Sequence, residues 1–278
     1  MLTLASIHTY PVKSCRGIQH RTAQLTRAGL AHDREWMFVS GAGRFITQRE
    51  EPRLAQVEVA LRDGTLLLSS TGAGEVAVPV DFDGPRSSVA VWGDRCVGID
   101  QGDAVAGWIG SLLGREARMV RFDPLSSRRS NPAWTGGVDA YSLFSDGFPL
   151  LVLSRASLDD LNARLPVAVP MERFRPNLVF DGLPPYGEDR LQAIECGGVR
   201  LGIAKPCTRC VITTTDQHSG ERMGEEPLRT LKTYRWDAAL RGVAFGQNAI
   251  VVSGAGQWLS AGSDGWTPTA RGSGPPHG

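Results

Sequence analysis

Turn-forming dipeptides recur so closely beside short alternating apolar runs that they restrict this chain to an architecture of many short strands. Val57, Val59 and Leu61 alternate with Glu58, Ala60 and Arg62; Asp63-Gly64 supplies a two-residue turn and Thr65–Leu68 returns. Val76, Val78 and Val80 alternate again. Val89–Trp92, Gly93-Asp94 and Val97–Ile99 predict another hairpin, as do Trp36–Val39, Gly41-Ala42-Gly43 and Phe45–Thr47. Glycine (33) and proline (17) make up about 18% of the 278 residues, against roughly 12% in average usage. Tight connections at this frequency predict a barrel-like β module.

Two segments carry a helical period instead. Asp103 is placed to cap a helix with Val105, Trp108, Ile109 and Leu112 on one face, stopped by Gly114. Ser157 is placed to cap Leu158–Leu165. Between them Phe122–Gly137 has loop composition and carries Arg128-Arg129. The expected division is a β-barrel module over residues 1–120, a second domain over 121–262, and a tail over 263–278 whose Gly/Ser/Pro content predicts disorder. Leu150–Leu153, Asn177–Phe180, Val199–Ile203, Val211–Thr215 and Ala249–Val252 predict strands in the second half. The fold class is therefore mainly β with a few helices (α+β).

Charge excludes several functions. Thirty basic and 29 acidic residues leave +1, which removes bulk electrostatics as a reason to bind nucleic acid or an anionic membrane. No run of 18 apolar residues occurs, and MLTLASIHTYPVKSC has no charged leader region, so a cytoplasmic protein without a membrane partner is expected. Five cysteines are too few, and odd in number, for a disulfide-built scaffold.

The sharpest chemical feature is Lys205-Pro206-Cys207-Thr208-Arg209-Cys210, followed by Val211-Ile212-Thr213-Thr214-Thr215. A structural zinc site needs a second Cys/His pair, and His218 is a single candidate. A thioredoxin-type dithiol opens a helix, whereas the β-branched run favours a strand. Two half-buried structural cysteines are the plain reading. In the fourth, one thiolate ligates a soft metal: Arg209 would lower its pKa, while the Thr208 hydroxyl and backbone amides could hold an anion. Lys13-Ser14 pairs an ammonium with a hydroxyl, suited to a phosphate. Asp33-Arg34-Glu35 and Phe174-Arg175-Pro176-Asn177 each place an arginine at the entry to a strand, where a surface ion pair is the plainer reading.

Taken together, the chain resembles the MOSC-domain proteins carrying an N-terminal MOSC β-barrel module, in the branch of the mitochondrial amidoxime-reducing component and its bacterial relatives. The blocks that carry the likeness are YPVKSCRGI (10–18), DREWMFV (33–39), ITQREEPRLA (46–55), LSRASLDDLN (153–162), FRPNLVFDG (174–182), CTRCVITTTD (207–216), GEEPLRTLKTYR (224–235) and FGQN (245–248). The resemblance implies a molybdenum cofactor (Mo-molybdopterin) surrounded by Lys13, Ser14, Arg34, Arg175, Asn177, Thr208 and Arg209, with Cys210 as the protein ligand to the metal. Pyridoxal phosphate binding is a looser association of the family. The implied activity is reduction of small N-hydroxylated compounds by oxygen abstraction at a Cys-ligated molybdenum; the alternative is a non-enzymatic carrier of the cofactor or of a persulfide on the same cysteine. Asp216, Glu188 and Asp189 are candidate proton carriers with an equally good surface reading.

Three departures from the family stand out. In Ser145-Asp146-Gly147-Phe148-Pro149, relatives often have a Ser/Thr beside the proline, so one cofactor hydrogen bond is missing or supplied by backbone. Glu188-Asp189-Arg190-Leu191 lacks a tryptophan common in relatives, and Gln217-His218 replaces an acidic-proline turn. The plant-type ferredoxin cysteines that some bacterial relatives carry at the C-terminus are missing too. Electrons are expected from an external ferredoxin, cytochrome or flavoprotein reductase.

Overall fold

The computed structural model describes residues 1–271. Its centre is a closed seven-stranded barrel. Leu150–Ser154 runs parallel to Leu178–Asp181, which pairs antiparallel with Leu2–Thr9. Leu2–Thr9 then meets Ser263–Ala270, followed in turn by Leu191–Cys196, Val199–Thr208 and Gly242–Ser253. Pairing of Gly242–Ser253 with Leu150–Ser154 closes the ring, leaving no free edge to recruit another chain. Leu4, Ile7, Val152, Leu178, Phe180, Ile194, Leu201 and Ala249 fill the interior, all fully buried. Phe180 and Trp266 meet edge to face at 5.4 Å.

Two findings correct the expected tail and strand. Residues 263–270 are a barrel strand rather than disordered chain, because Trp266 supplies an apolar anchor amid the polar composition; residues 272–278 lie outside the described residues. Val211–Thr214 is a 3₁₀ turn, not a strand. The Thr213 and Thr214 hydroxyls donate to Cys210 O and Val211 O at 3.0 and 2.8 Å, so the side chains offer the backbone a local alternative to a ladder.

The other half is built on the hairpins. Glu58–Arg62, Thr65–Ser70 and Gly74–Pro79 form a meander, and Asp63-Gly64 has positive φ at both positions (47° and 71°), the type I′ turn that suits strand twist. Trp36–Val39, Arg118–Phe122, Asp94–Asp100 and Arg86–Val91 form a second sheet in that order. Helix α1 (Asp103–Leu113) buries Val105, Trp108, Ile109 and Leu112 against these strands and ends at left-handed Gly114. Its cap is Gly102; Asp103 is the first helical residue, and its carboxylate pairs with Arg118 at 3.0 Å. Helix α2 (Arg155–Asn162) begins one turn earlier than expected: Ser154 Oγ accepts the Ser157 amide at 3.1 Å, and Ser157 lies inside the helix.

The first strand carries a pH liability. His8 Nε2 lies 2.9 Å from Ser6 Oγ, and burial, then the neighbouring His20, push its pKa down to about 4. The unfolded chain takes up this proton near pH 6.5 and the folded chain only near 4. Stability is therefore lost as pH falls through this window, by up to about 3 kcal/mol. Urea midpoints measured from pH 7 to pH 4 should decline in the wild type and decline less in His8→Gln.

Candidate active site

At one end of the barrel its loops face the N-terminal half across a cleft that encloses about 830 Å³, solvent mouth included. Lys13, Ser14, Arg34, Arg175, Asn177, Thr208, Arg209 and Cys210 all line it, although they come from four separate stretches of sequence. Ser14, Arg34 and Arg175 have φ of 69°, 50° and 55°. A left-handed backbone at a non-glycine residue costs on the order of 1–3 kcal/mol and persists where the surroundings enforce it. Here Arg34 N donates to Tyr10 O at 2.9 Å, Arg175 N to Glu172 O at 3.1 Å, and Gln48 Nε2 to Ser14 O at 2.6 Å.

Tyr10 organises the two arginines. Its ring has the Arg34 and Arg175 guanidinium carbons 4.3 and 4.2 Å from its centroid, and its hydroxyl donates to Pro176 O. Gly17 leaves room for that ring: a Cβ there would stand 2.5 Å from Tyr10 Cε1. Gly17→Ala must displace a fully packed aromatic, so a loss of about 1–3 kcal/mol in denaturant unfolding is expected, whereas an unchanged midpoint would mean the ring is free to move.

The cations are not equivalent. Arg34 is committed to the protein: Nη1 donates to Asp33 Oδ2 at 2.6 Å and to Asn177 Oδ1 at 3.0 Å, and Nη2 to Arg175 O at 3.2 Å. Asn177 Oδ1 also accepts from Leu151 N, and its Nδ2 donates to His8 O, so its amide ties the barrel to Arg34. Lys13 Nζ donates to Phe144 O at 2.8 Å and to Asp146 Oδ1 at 2.5 Å. Arg49 and Trp92 Nε1 reach the same carboxylate at 3.4 and 3.1 Å. Partial burial opposes the charge of Asp146, but Lys13, Arg49 and Trp92 outweigh it and hold the carboxyl well below the usual carboxylate range.

Arg175 has no carboxylate partner among the described residues. It donates to Cys15 O at 2.7 Å, and burial pulls its pKa down to about 10. Arg209 Nη2 donates to Phe174 O at 2.6 Å, while its Nη1 lies 3.1 Å from Cys207 Sγ. The guanidinium thus serves the first cysteine of the pair, a correction to the expectation that it would tune the metal-binding thiol. Cys210 is half-buried at the start of the 3₁₀ turn, and its Sγ has no hydrogen-bond partner among the described residues.

None of the three proposed proton carriers lines the cleft. Asp216 pairs with Arg173 at 3.0 Å, Asp189 binds Arg235 and Gln247, and Glu188 accepts from Ser157 Oγ and Ser154 N beneath α2. The one acid in the lining is Asp146; it, Ser145, Arg49 and Asn248 are further polar residues of the wall that were not among the expected site residues. Arg49 and Asn248 fall inside the blocks 46–55 and 245–248, a signal that could have found them.

A closed barrel whose loops join a second β module over a cationic, thiol-bearing cleft has recognisable counterparts. Residues 1–116 match the MOSC N-terminal beta barrel domain and residues 139–263 the MOSC domain. The mitochondrial amidoxime-reducing component 1 of Mus musculus is 36% identical over 242 residues, covering 84% of this chain and 71% of that protein. The Homo sapiens protein of the same name is 36% identical over 246 residues, with 84% and 72% covered. The molybdenum cofactor sulfurase of Oryza sativa subsp. japonica is 30% identical across 93% of this chain, which spans 35% of that protein. The chain belongs to the MOSC-domain family.

Proposed function

We propose that the protein is a molybdenum-cofactor-dependent oxidoreductase that reduces small N-hydroxylated compounds of the amidoxime and hydroxylamine type. The observation that carries this reading is the convergence in one cleft of Cys210 with buried Arg175, which has no carboxylate partner among the described residues. The wall fits such a cofactor. Ser145 Oγ and Arg209 Nε are buried there without hydrogen-bond partners among the described residues, and buried polar atoms of that kind are ordinarily satisfied. A partnerless thiol suits a soft metal, and a cation without a counter-ion suits a phosphate.

When bound, the cofactor supplies two-electron redox chemistry at molybdenum. The rest is work for the chain. Cys210 would anchor the metal, and Arg175, Ser14, Thr208 and Arg209 would grip the pterin and its phosphate. Arg34 and Asn177 would act largely through other residues, holding Arg175 and the barrel edge in place. Overall an amidoxime, two electrons and two protons give an amidine and water. Asp146 stays ionised, so it holds no proton to give, and protons would come from solvent through the open mouth. Among the described residues Lys13 is the one lysine that lines the cleft, and it is bonded to Asp146 and Phe144 O. The electrons would come from an external ferredoxin, cytochrome or flavoprotein.

Similarity to a cofactor sulfurase supports a second reading, persulfide or cofactor carriage on Cys210. Loading the protein with cofactor, reducing it with viologen and following benzamidoxime separates the two. Catalytic loss of benzamidoxime supports the reductase; stoichiometric sulfur or cofactor transfer to an apo-enzyme without turnover supports the carrier. Among the described residues no helix is long and apolar enough to cross a membrane.

A further inference from the structure

One hairpin of the N-terminal half ends in a residue that the local backbone disfavours. Val91 pairs with Asp94, which leaves Trp92 and Gly93 as the two loop residues. Of the two, Trp92 has the positive φ, 56°. A hairpin loop with positive φ at its first position ordinarily carries glycine there, yet here the glycine stands second. A bulky side chain on such a backbone is strained, and strain of this kind collects at ligand-binding and active sites.

Residues of the cleft hold the indole in place. Its Nε1 donates to Asp146 Oδ1 at 3.1 Å, and the Arg49 guanidinium carbon lies 4.5 Å from the ring centroid. Phe45 meets it at 5.1 Å, tilted by 59°. Asp146 and Arg49 both line the cleft and both reach solvent, so Trp92 stands at the rim. It is 49% exposed. Of the large apolar side chains exposed among the described residues, it alone is hydrogen-bonded through its side chain to the wall.

The wall below is dominated by cationic side chains. Leu150, Leu151 and Phe174 line it but are buried, and Phe148 and Ile212 are half-buried. The indole is therefore the largest open apolar face beside the cleft. Sites for small organic molecules combine a few fixed polar groups with aromatic side chains, and a flat ring packs on an indole either offset or edge to face.

We propose that Trp92 is a substrate subsite at the cleft mouth, where its indole packs against the flat apolar group of an N-hydroxylated compound and selects aryl over alkyl amidoximes. The inference rests on the reductase reading and names the substrate class within it that this cleft favours. Asp146 and Arg49 fix the orientation of the ring.

The test compares benzamidoxime with acetamidoxime, which carry a phenyl or a methyl group on the same reacting unit, in viologen-driven turnover of the cofactor-loaded protein. The quantity read is the ratio of their kcat/KM values, from which any disturbance of the cofactor common to both substrates cancels. Trp92→Gly removes the ring and relaxes the backbone; Trp92→Asn, which also tolerates a left-handed φ, is the second ring deletion. In both, the ratio should fall about tenfold, chiefly through KM for benzamidoxime, and Trp92→Phe should restore most of it. A wild-type ratio in the ring deletions overturns the subsite. Because viologen supplies the electrons, that is also the result expected of a tryptophan that only docks a protein donor. A fall in Trp92→Phe as large as in Trp92→Gly would assign the effect to the bond with Asp146, and overturns the subsite too. If wild type reduces neither amidoxime, it is the reductase reading that fails. Calorimetric titration of the purified protein with benzamidoxime then decides the subsite: binding about tenfold weaker in Trp92→Gly supports it, and equal or undetectable binding overturns it.

Discussion

Cys210→Ala should abolish viologen-driven benzamidoxime reduction, by at least about a thousandfold, while Cys207→Ser keeps most of it. Changing an outer partner of a metal site typically costs about 10–100-fold; in the proposed role Cys210 is the protein ligand, and its removal would take the redox centre and the whole catalytic unit with it. The two thiols sit three residues apart and line the same cleft, yet their surroundings differ. Cys207 Sγ already has the Arg209 guanidinium at 3.1 Å, whereas Cys210 Sγ, at the opening of the 3₁₀ turn, has no hydrogen-bond partner among the described residues. Steady-state rates of the two variants, each normalised to folded protein, check this. Equal losses would mean that the wrong sulfur has been assigned.

The second large effect belongs to Arg175. Replacing it by alanine should weaken cofactor retention by about 3–5 kcal/mol, the cost of leaving a buried charge without its partner, or roughly two to four orders of magnitude in affinity. Arg34→Ala should also release cofactor, but with a larger loss of fold stability, because Arg34 holds Asp33, Asn177 and the Arg175 carbonyl together. Pterin content after gel filtration, set beside urea midpoints, separates these two patterns. Arg175→Ala should change content far more than midpoint; retention equal to wild type would show that this arginine does not meet the anion.

Much of this was legible in the chain. Hairpins at Asp63-Gly64 and Gly93-Asp94 follow from local turn chemistry and alternating valines, and the structure has both. The eight expected site residues share one cleft because whole blocks of family sequence carried them, not because spacing alone could bring Lys13 to Cys210. What escaped was non-local. Nothing near Trp266 announces that it plugs a barrel against Phe180, so strand 263–270 read as tail. The three threonines after Cys210 have strand propensity, but the hydroxyls of Thr213 and Thr214 close a turn instead. Arg128 sat in a loop-like stretch and was given no role, since its backbone and carboxylate acceptors exist only once the loop folds over it. Asp216, Glu188 and Asp189 looked available for proton transfer because their ion-pair and helix-capping partners lie far off in sequence.

The most direct measurement is metal stoichiometry: molybdenum per chain by mass spectrometry, on wild type and Cys210→Ser purified side by side. About one molybdenum in the wild type and almost none in the variant is the predicted result. A wild type devoid of molybdenum, or a variant that keeps its full complement, would contradict the claim that this thiol holds the metal in the cleft.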